Sequence, residues 1–272
     1  MPTKLGQNFL NNKAVIDKII QAADLTCDDF VLEIGPGKGI LTGELAKAAG
    51  KVVAVEIDGN LVELLRNKFS NSKNVEIISG DILKIDISEL LRHRMSKSKK
   101  TSDVLPAYKI IANLPYYITS PIIRLFLESE IPPSEMILMV QKEVAERIVA
   151  KPGQMSILAV SVQYYADAEI LFEVGKENFD PIPEVDSTVI RITRNPQPDT
   201  QNEEFNKNFF RIVKAGFSAK RKTLENNLTN SLHIPKTEAE EKLKTVPLSG
   251  TARAQELSVE DWKKLVNLFE KI

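Results

Sequence analysis

The sequence predicts an α/β protein: a seven-stranded, mostly parallel sheet followed by a small all-helical C-terminal domain. Three observations carry this. Between residues 30 and 194, short apolar runs alternate with segments of helical periodicity. The first run leads through a glycine-rich loop, Gly35-Pro36-Gly37-Lys38-Gly39, into a helix. Beyond Pro196-Gln197-Pro198 only helical patterns remain, which sets the expected domains at 1–195 and 196–272.

A helix over residues 10–24, with Ile16, Ile19, Ile20 and Ala23 on one face, precedes the sheet. The strand candidates are Phe30 to Ile34, Val52 to Glu56, Val75 to Ile78, Lys109 to Ala112, Met136 to Val140, Ile170 to Val174 and Ser187 to Thr193. Leu61, Leu64, Leu65 and Phe69 fall at helical spacing after the second. Ser120-Pro121 reads as an N-cap with proline at the first helical position, opening a helix through Leu127. Strands joined through helices imply a sheet covered on both faces. Only a loop joins the sixth and seventh strands, a link suited to an antiparallel pair at one edge. In the tail, Trp262, Leu265, Val266 and Phe269 form the last apolar stripe, and Arg92 to Lys100 reads as a solvated basic loop.

Composition excludes several classes. With 272 residues and 43% apolar content, the chain is not a disordered one. Its 36 Lys+Arg against 37 Asp+Glu leave −1, so an anionic partner must meet a local patch rather than a basic coat. The lone Cys27 has no internal partner, which fits a reducing cytosol. The first residues lack a secretory apolar core, and no apolar run approaches the roughly 20 residues that span a bilayer. The expectation is a cytoplasmic, monomeric protein with no membrane partner. His93 and His233 have no metal-ligand spacing around them, so no metal is expected.

A strand, glycine loop and helix let backbone amides approach a nucleotide-like ligand. Glu56, at the end of the second strand, stands where a carboxylate accepts from both ribose hydroxyls, and Asp81, after the third, suits an adenine amine. The spacing Gly35, Gly37, Gly39 departs from G-x-G-x-x-G, so a dinucleotide is disfavoured. No proton-relay histidine for a dehydrogenase falls near the expected crevice. Asn113-Leu114-Pro115-Tyr116 ends the fourth strand and faces the same crevice. An adenine N6 amine is a poor nucleophile because its lone pair is delocalised. A carboxamide oxygen (Asn113) and a backbone carbonyl (Leu114 or Pro115) can accept its two hydrogens and free that lone pair, while Tyr116 stacks on the base.

With these features, seven motifs in order resemble the KsgA family of small-subunit rRNA adenine dimethyltransferases over nearly the whole chain. They are Leu5-Gly6-Gln7-Asn8-Phe9-Leu10, Glu33-Ile34-Gly35-Pro36-Gly37-Lys38-Gly39, Glu56-Ile57-Asp58, Gly80-Asp81, Asn113-Leu114-Pro115-Tyr116, Gln141-Lys142-Glu143-Val144-Ala145-Glu146-Arg147 and Phe179-Asp180-Pro181-Ile182-Pro183-Glu184-Val185-Asp186-Ser187. The resemblance implies a Rossmann-like class I methyltransferase that uses S-adenosyl-L-methionine. It implies that Asn8 and Leu10 close over the cofactor and that Gly35 and Gly37 admit its methionine part. Glu56 would take the ribose, Ile57 and Ile82 would pack nearby, and Asp81 would accept from the adenine. Asn113 would lie between donor and acceptor, with Tyr116 and Phe179 holding a flipped adenine. The implied substrate is two adjacent adenosines in the 3′-terminal hairpin loop of small-subunit rRNA, dimethylated within a pre-assembled subunit during its biogenesis.

Residues 205 to 222 supply six cations and no acid, and Lys220, Arg221 and Lys222 are the expected RNA contacts. Arg92, Arg94, Lys97, Lys99 and Lys100 form a second basic run. Tyr117 departs from the family pattern, in which many members carry Asn after the tetrapeptide. The loop after Lys151-Pro152-Gly153 looks shorter than usual, and the region from Arg92 to Asp103 longer. A large-subunit rRNA methyltransferase conferring antibiotic resistance and a non-catalytic assembly factor are the alternatives.

Overall fold

The computed structural model describes residues 8–95, 107–195, 203–244 and 249–269. It divides into two compact units, Met1–Ala145 with Ala168–Arg194, and Glu146–Asp167 with Asn195–Ile272. The expected single boundary at 195 therefore misses residues 146–167, which join the helical unit. Their helix presents Ala159, Val160, Val162, Tyr164 and Tyr165 as buried residues, and Tyr164 stacks on Phe209 with ring centroids 4.1 Å apart.

The strands are β1 (Phe9–Leu10), β2 (Phe30–Ile34), β3 (Lys51–Glu56), β4 (Val75–Ser79), β5 (Tyr108–Asn113), β6 (Glu135–Gln141), β7 (Ala166–Val174), β8 (Phe179–Asp180) and β9 (Ser187–Arg194). Seven of them form one sheet in the order β4-β3-β2-β5-β6-β9-β7. β3 pairs parallel with β2 and β4, and β5 pairs parallel with β2 and β6. β9 runs antiparallel to β6 and lies between β6 and the edge strand β7. All five residues of β2 are buried, as a central parallel strand covered on both faces requires. The order of the strands reverses at β2, whose neighbours are β3 and β5, and there the loops after β2 and β5 part to leave a crevice.

In the first unit the helices are α1 (Lys13–Ala23), α2 (Ile40–Ala48), α3 (Gly59–Lys68), α4 (Ile87–Met95) and α5 (Thr119–Leu127), with α6 (Lys142–Ile148) leading into the second. Asn12 caps α1 by accepting from the Ala14 amide at 2.8 Å. At its other end Lys109 Nζ donates to the Ala23 carbonyl at 2.8 Å and Arg191 to the Ala22 carbonyl at 2.7 Å, so two cations satisfy the negative end of the helix. On α3, Val62 and Leu65 are buried, whereas Leu64 is exposed. The expected face was thus drawn one residue too wide. Ser120 does not cap α5: a 3-10 turn at Tyr116–Ile118 feeds the helix directly, so it begins at Thr119. The expected basic loop begins as helix, since Arg92 to Met95 close α4, while 96–100 lie outside the described residues. Arg92 pairs with Glu130 at 2.9 Å and Arg94 with Glu76 at 2.8 Å.

The second unit holds α7 (Ile157–Tyr165), α8 (Glu203–Gly216), α9 (Leu224–Leu232), α10 (Lys236–Lys244) and α11 (Val259–Phe269). Trp262, Leu265, Val266 and Phe269 are all fully buried, as their spacing predicts. Gly216 ends α8 against the Trp262 ring, where a β-carbon would collide with the indole. Among the described residues, no helix is long and apolar enough to cross a membrane, and no group of His, Cys, Asp and Glu is placed to hold a metal ion.

Candidate active site

The loops at the carboxyl ends of β2, β3, β4 and β5 enclose a cleft of about 240 Å³ in the first unit. Its floor is the glycine loop, in which Gly35, Gly37 and Gly39 all have positive φ (66°, 57° and 69°). These values favour glycine, and space enforces it at Gly37, where a β-carbon would sit 2.9 Å from the Phe9 ring. Lys68 of α3 braces the loop by donating to the Lys38 and Gly39 carbonyls, each at 2.9 Å.

Glu56 is 2% exposed, and its carboxylate accepts three backbone hydrogen bonds: from Gly37 at 3.1 Å, Ile57 at 2.9 Å and Asp58 at 3.0 Å. One acid therefore ties the glycine loop to the turn after β3. Asp81 accepts from the Leu83 amide at 3.1 Å and pairs with Lys84 at 3.3 Å. Ile57 is half exposed and Ile82 buried, and both line the cleft.

Over the glycine loop lies β1, held by β8 through Phe9 opposite Asp180 and Leu10 opposite Phe179. Lys38 Nζ sits 4.8 Å from the Phe9 ring centroid and 3.9 Å from the Asp180 carboxylate, linking strap and loop. Asn113 Nδ2 donates to the Asn8 carbonyl at 3.3 Å, so the end of β5 also touches the strap. Leu114 is buried, and its amide donates to the Met139 carbonyl at 3.1 Å. The Pro115 carbonyl accepts from the Ile118 amide at 3.1 Å, which closes the 3-10 turn. Tyr116 is half-buried, with its hydroxyl 2.8 Å from Ser187 Oγ, and burial raises its phenol pKa above the usual value.

Asn8, Leu10, Gly35, Gly37, Glu56, Ile57, Asp81, Ile82, Asn113, Leu114, Pro115 and Tyr116 thus all line this cleft. Phe179 does not. It is 2% exposed and packs in the core with Leu10, Ile16 and Val189, because its register on β1 turns it beneath the strap. Lys220, Arg221 and Lys222 are exposed residues of the second unit, between α8 and α9.

One lining residue escapes sequence reasoning. Glu33 lies in β2, 1% exposed, and its Oε2 has no hydrogen-bond partner. Burial pushes its carboxyl up to about 8, with Glu56 adding to the rise and Thr42 and Lys68 opposing it. An acid within an apolar strand gives no pattern of its own; the only hint is its place just before the glycine loop. With Glu33, Glu56 and Asp81, the lining carries three acids against one cation, Lys38. That balance suits a cationic ligand with a diol and an amine, and opposes a pyrophosphate.

A parallel sheet with one antiparallel insertion, a glycine loop at its switch point and a nucleoside-sized cleft define a Rossmann-like methyltransferase. The family model for ribosomal RNA adenine dimethylase matches residues 1–271, and the chain belongs to that family. It is 42% identical over 269 residues to ribosomal RNA small subunit methyltransferase A of Clostridioides difficile, covering 97% of this chain and 89% of that protein. The protein of the same name from Bacillus pumilus is 40% identical, with 98% and 90% covered. Among solved structures, a dimethyladenosine transferase from Plasmodium falciparum superposes with a TM-score of 0.79 at 27% identity, covering 97% of this chain and 98% of that one. The 23S rRNA methyltransferase ErmE gives 0.72 at 28%, with 96% and 99% covered.

Proposed function

We propose that this protein transfers methyl groups from S-adenosyl-L-methionine to the N6 amines of two adjacent adenosines in the 3′-terminal hairpin loop of small-subunit rRNA, within a pre-assembled subunit. The single observation that carries this reading is the junction of a cation-accepting, acid-lined cleft with Asn113-Leu114-Pro115-Tyr116 at one switch point. The curated relatives near 40% identity carry the small-subunit name, whereas ErmE stands at 28%, which favours the small over the large subunit.

The residues of the cleft fit the cofactor. Glu56 would hold the ribose hydroxyls, Asp81 the adenine amine, and Ile57 and Ile82 the faces of that base. Gly35 and Gly37, which carry no side chain, let the methionine part approach the loop backbone, and Glu33 supplies a buried carboxyl for its positive charge. Asn8 and Leu10 close the strap above it. When bound, the cofactor supplies an electrophilic methyl group on a sulfonium. Asn113 Oδ1 accepts one hydrogen of the target amine. Because the Pro115 carbonyl is engaged in its own turn, the Leu114 carbonyl takes the second. Both dipoles favour positive charge growing on the nitrogen, and the rate gain comes from positioning and electrostatics. Tyr116 offers its ring to the flipped base. Phe179 reaches a base only if β8 shifts, and its part here is to hold the strap through Leu10.

Lys220, Arg221 and Lys222 of the helical unit give cations to phosphates. Replacing all three with Gln weakens subunit binding and lowers the slope of log affinity against log salt by about 2 to 3. An unchanged slope moves the docking surface elsewhere. The protein acts as a cytoplasmic monomer and needs no metal. The test of the reading is labelled methyl transfer to unmethylated small subunits, with N6,N6-dimethyladenosine as product. Binding without transfer assigns the protein to the assembly factors instead.

A further inference from the structure

Tyr117 is the exposed aromatic of the cleft. The residue is 61% exposed, and it lines the mouth beside the half-buried Tyr116. Both stand on the 3-10 turn Tyr116–Ile118, where successive side chains point about 120° apart. Tyr116 is fixed by its hydroxyl on Ser187, so the two rings do not face one base. Tyr117 is free to meet a second one.

The chemistry of the neighbouring rim says what it meets. Tyr116 ties the turn to the start of β9, and the segment from the end of β8 through the loop into β9 is Asp180-Pro181-Ile182-Pro183-Glu184-Val185-Asp186. On that segment Ile182 is 65% and Val185 44% exposed, and its three acids are exposed as well. It carries no Lys or Arg. Asp180 is offset by Lys38 at 3.9 Å, but Glu184 and Asp186 keep this rim unfavourable to phosphates, so RNA meets it through an uncharged base face. Taking an adenosine out of its stack leaves the adjacent base without a neighbour, at a cost of a few kcal/mol. Aromatic side chains replace such lost stacking with little regard for base identity.

We propose that Tyr117 stacks on the nucleobase next to the target adenosine and holds the RNA strand at the mouth of the cleft. This rests on the rRNA adenine methylation reading above. Tyr117 is a positioning residue: it touches the substrate strand but not the reacting amine.

The test is steady-state transfer to unmethylated small subunits by the wild type, Tyr117→Ala and Tyr117→Phe. The expected result is a rise of about tenfold in KM for subunits with Tyr117→Ala, kcat within twofold, and near wild-type values for Tyr117→Phe. Cofactor affinity of Tyr117→Ala, measured by calorimetry, stays at the wild-type value and reports an intact fold. Subunits reconstituted with an abasic residue on either side of the target complete the cycle. At one of these positions, base removal raises the wild-type KM about tenfold and leaves that of Tyr117→Ala unchanged. A Tyr117→Ala KM within twofold of wild type overturns the proposal, as does additive loss at both abasic positions. A fall in kcat with KM unchanged also overturns it, because the ring then acts on the target itself. Absence of transfer by the wild type overturns the underlying reading and this proposal with it.

Discussion

Asn113→Ala lowers methyl transfer by about 10²- to 10³-fold, the usual cost of removing one preorganised polar group from a transition state. The carboxamide stands at the end of β5, facing the cleft beside the glycine loop. Its nitrogen donates to the Asn8 carbonyl, which turns the oxygen toward the space where an amine enters. Alanine removes the oxygen that accepts from the amine, so the lone pair stays delocalised in the base. Binding of small subunits is retained, because their phosphates meet cations elsewhere. Cofactor affinity falls only a few-fold, since the 3.3 Å bond to the strap is a long one. The checks are single-turnover transfer, subunit binding and calorimetry on the same preparation. Equal losses in transfer and in subunit binding contradict the assigned role.

The Glu33 carboxyl makes cofactor affinity rise with pH, by up to about tenfold per unit, until this contribution levels near pH 8, and Glu33→Gln removes that contribution. Glu33 is neutral in the ligand-free protein below about 8, because burial raises its carboxyl far above the ordinary 4.5. A cation placed beside it favours the carboxylate, so binding releases a proton and is easier at higher pH. The same shift sets a stability trend of the opposite sign. Between about 4.5 and 8 the unfolded chain ionises this carboxyl while the folded chain keeps its proton. Stability of the ligand-free protein therefore declines as pH rises through that window, and Glu33→Gln is the more stable protein at pH 8.5. Calorimetry from pH 6 to 9 in buffers of differing ionisation enthalpy counts the proton directly. The glutamine variant carries the cofactor's own titration as background. Equal pH slopes in both proteins place the positive charge away from Glu33.

Much of this was legible in the sequence for definite reasons. A parallel strand covered on both faces reads as a near-continuous apolar run, so Phe30–Ile34, broken only by Glu33, announces itself and its ends match the structure. Glycines at 35, 37 and 39 signal positive φ, and Glu56 and Asp81 follow from strand ends that must face one crevice. What was hidden depends on partners distant in sequence. β1 and β8 are two residues each, too short for any period, yet their pairing forms the strap and buries Phe179. The helix at 157–165 is apolar nearly all round, which signals burial without saying in which unit. Ser120-Pro121 has the letters of an N-cap, but the turn that follows Pro115 starts the helix two residues earlier, at Thr119. Glu33 becomes a site residue only when its depth and its unpartnered oxygen are known.

The most direct measurement incubates the purified protein and labelled S-adenosyl-L-methionine with unmethylated small and large ribosomal subunits in separate reactions, then maps modified nucleosides by mass spectrometry. The account predicts N6,N6-dimethyladenosine at two adjacent positions of the small-subunit RNA and no label in the large subunit. Label confined to the large subunit, or no transfer to either, contradicts it.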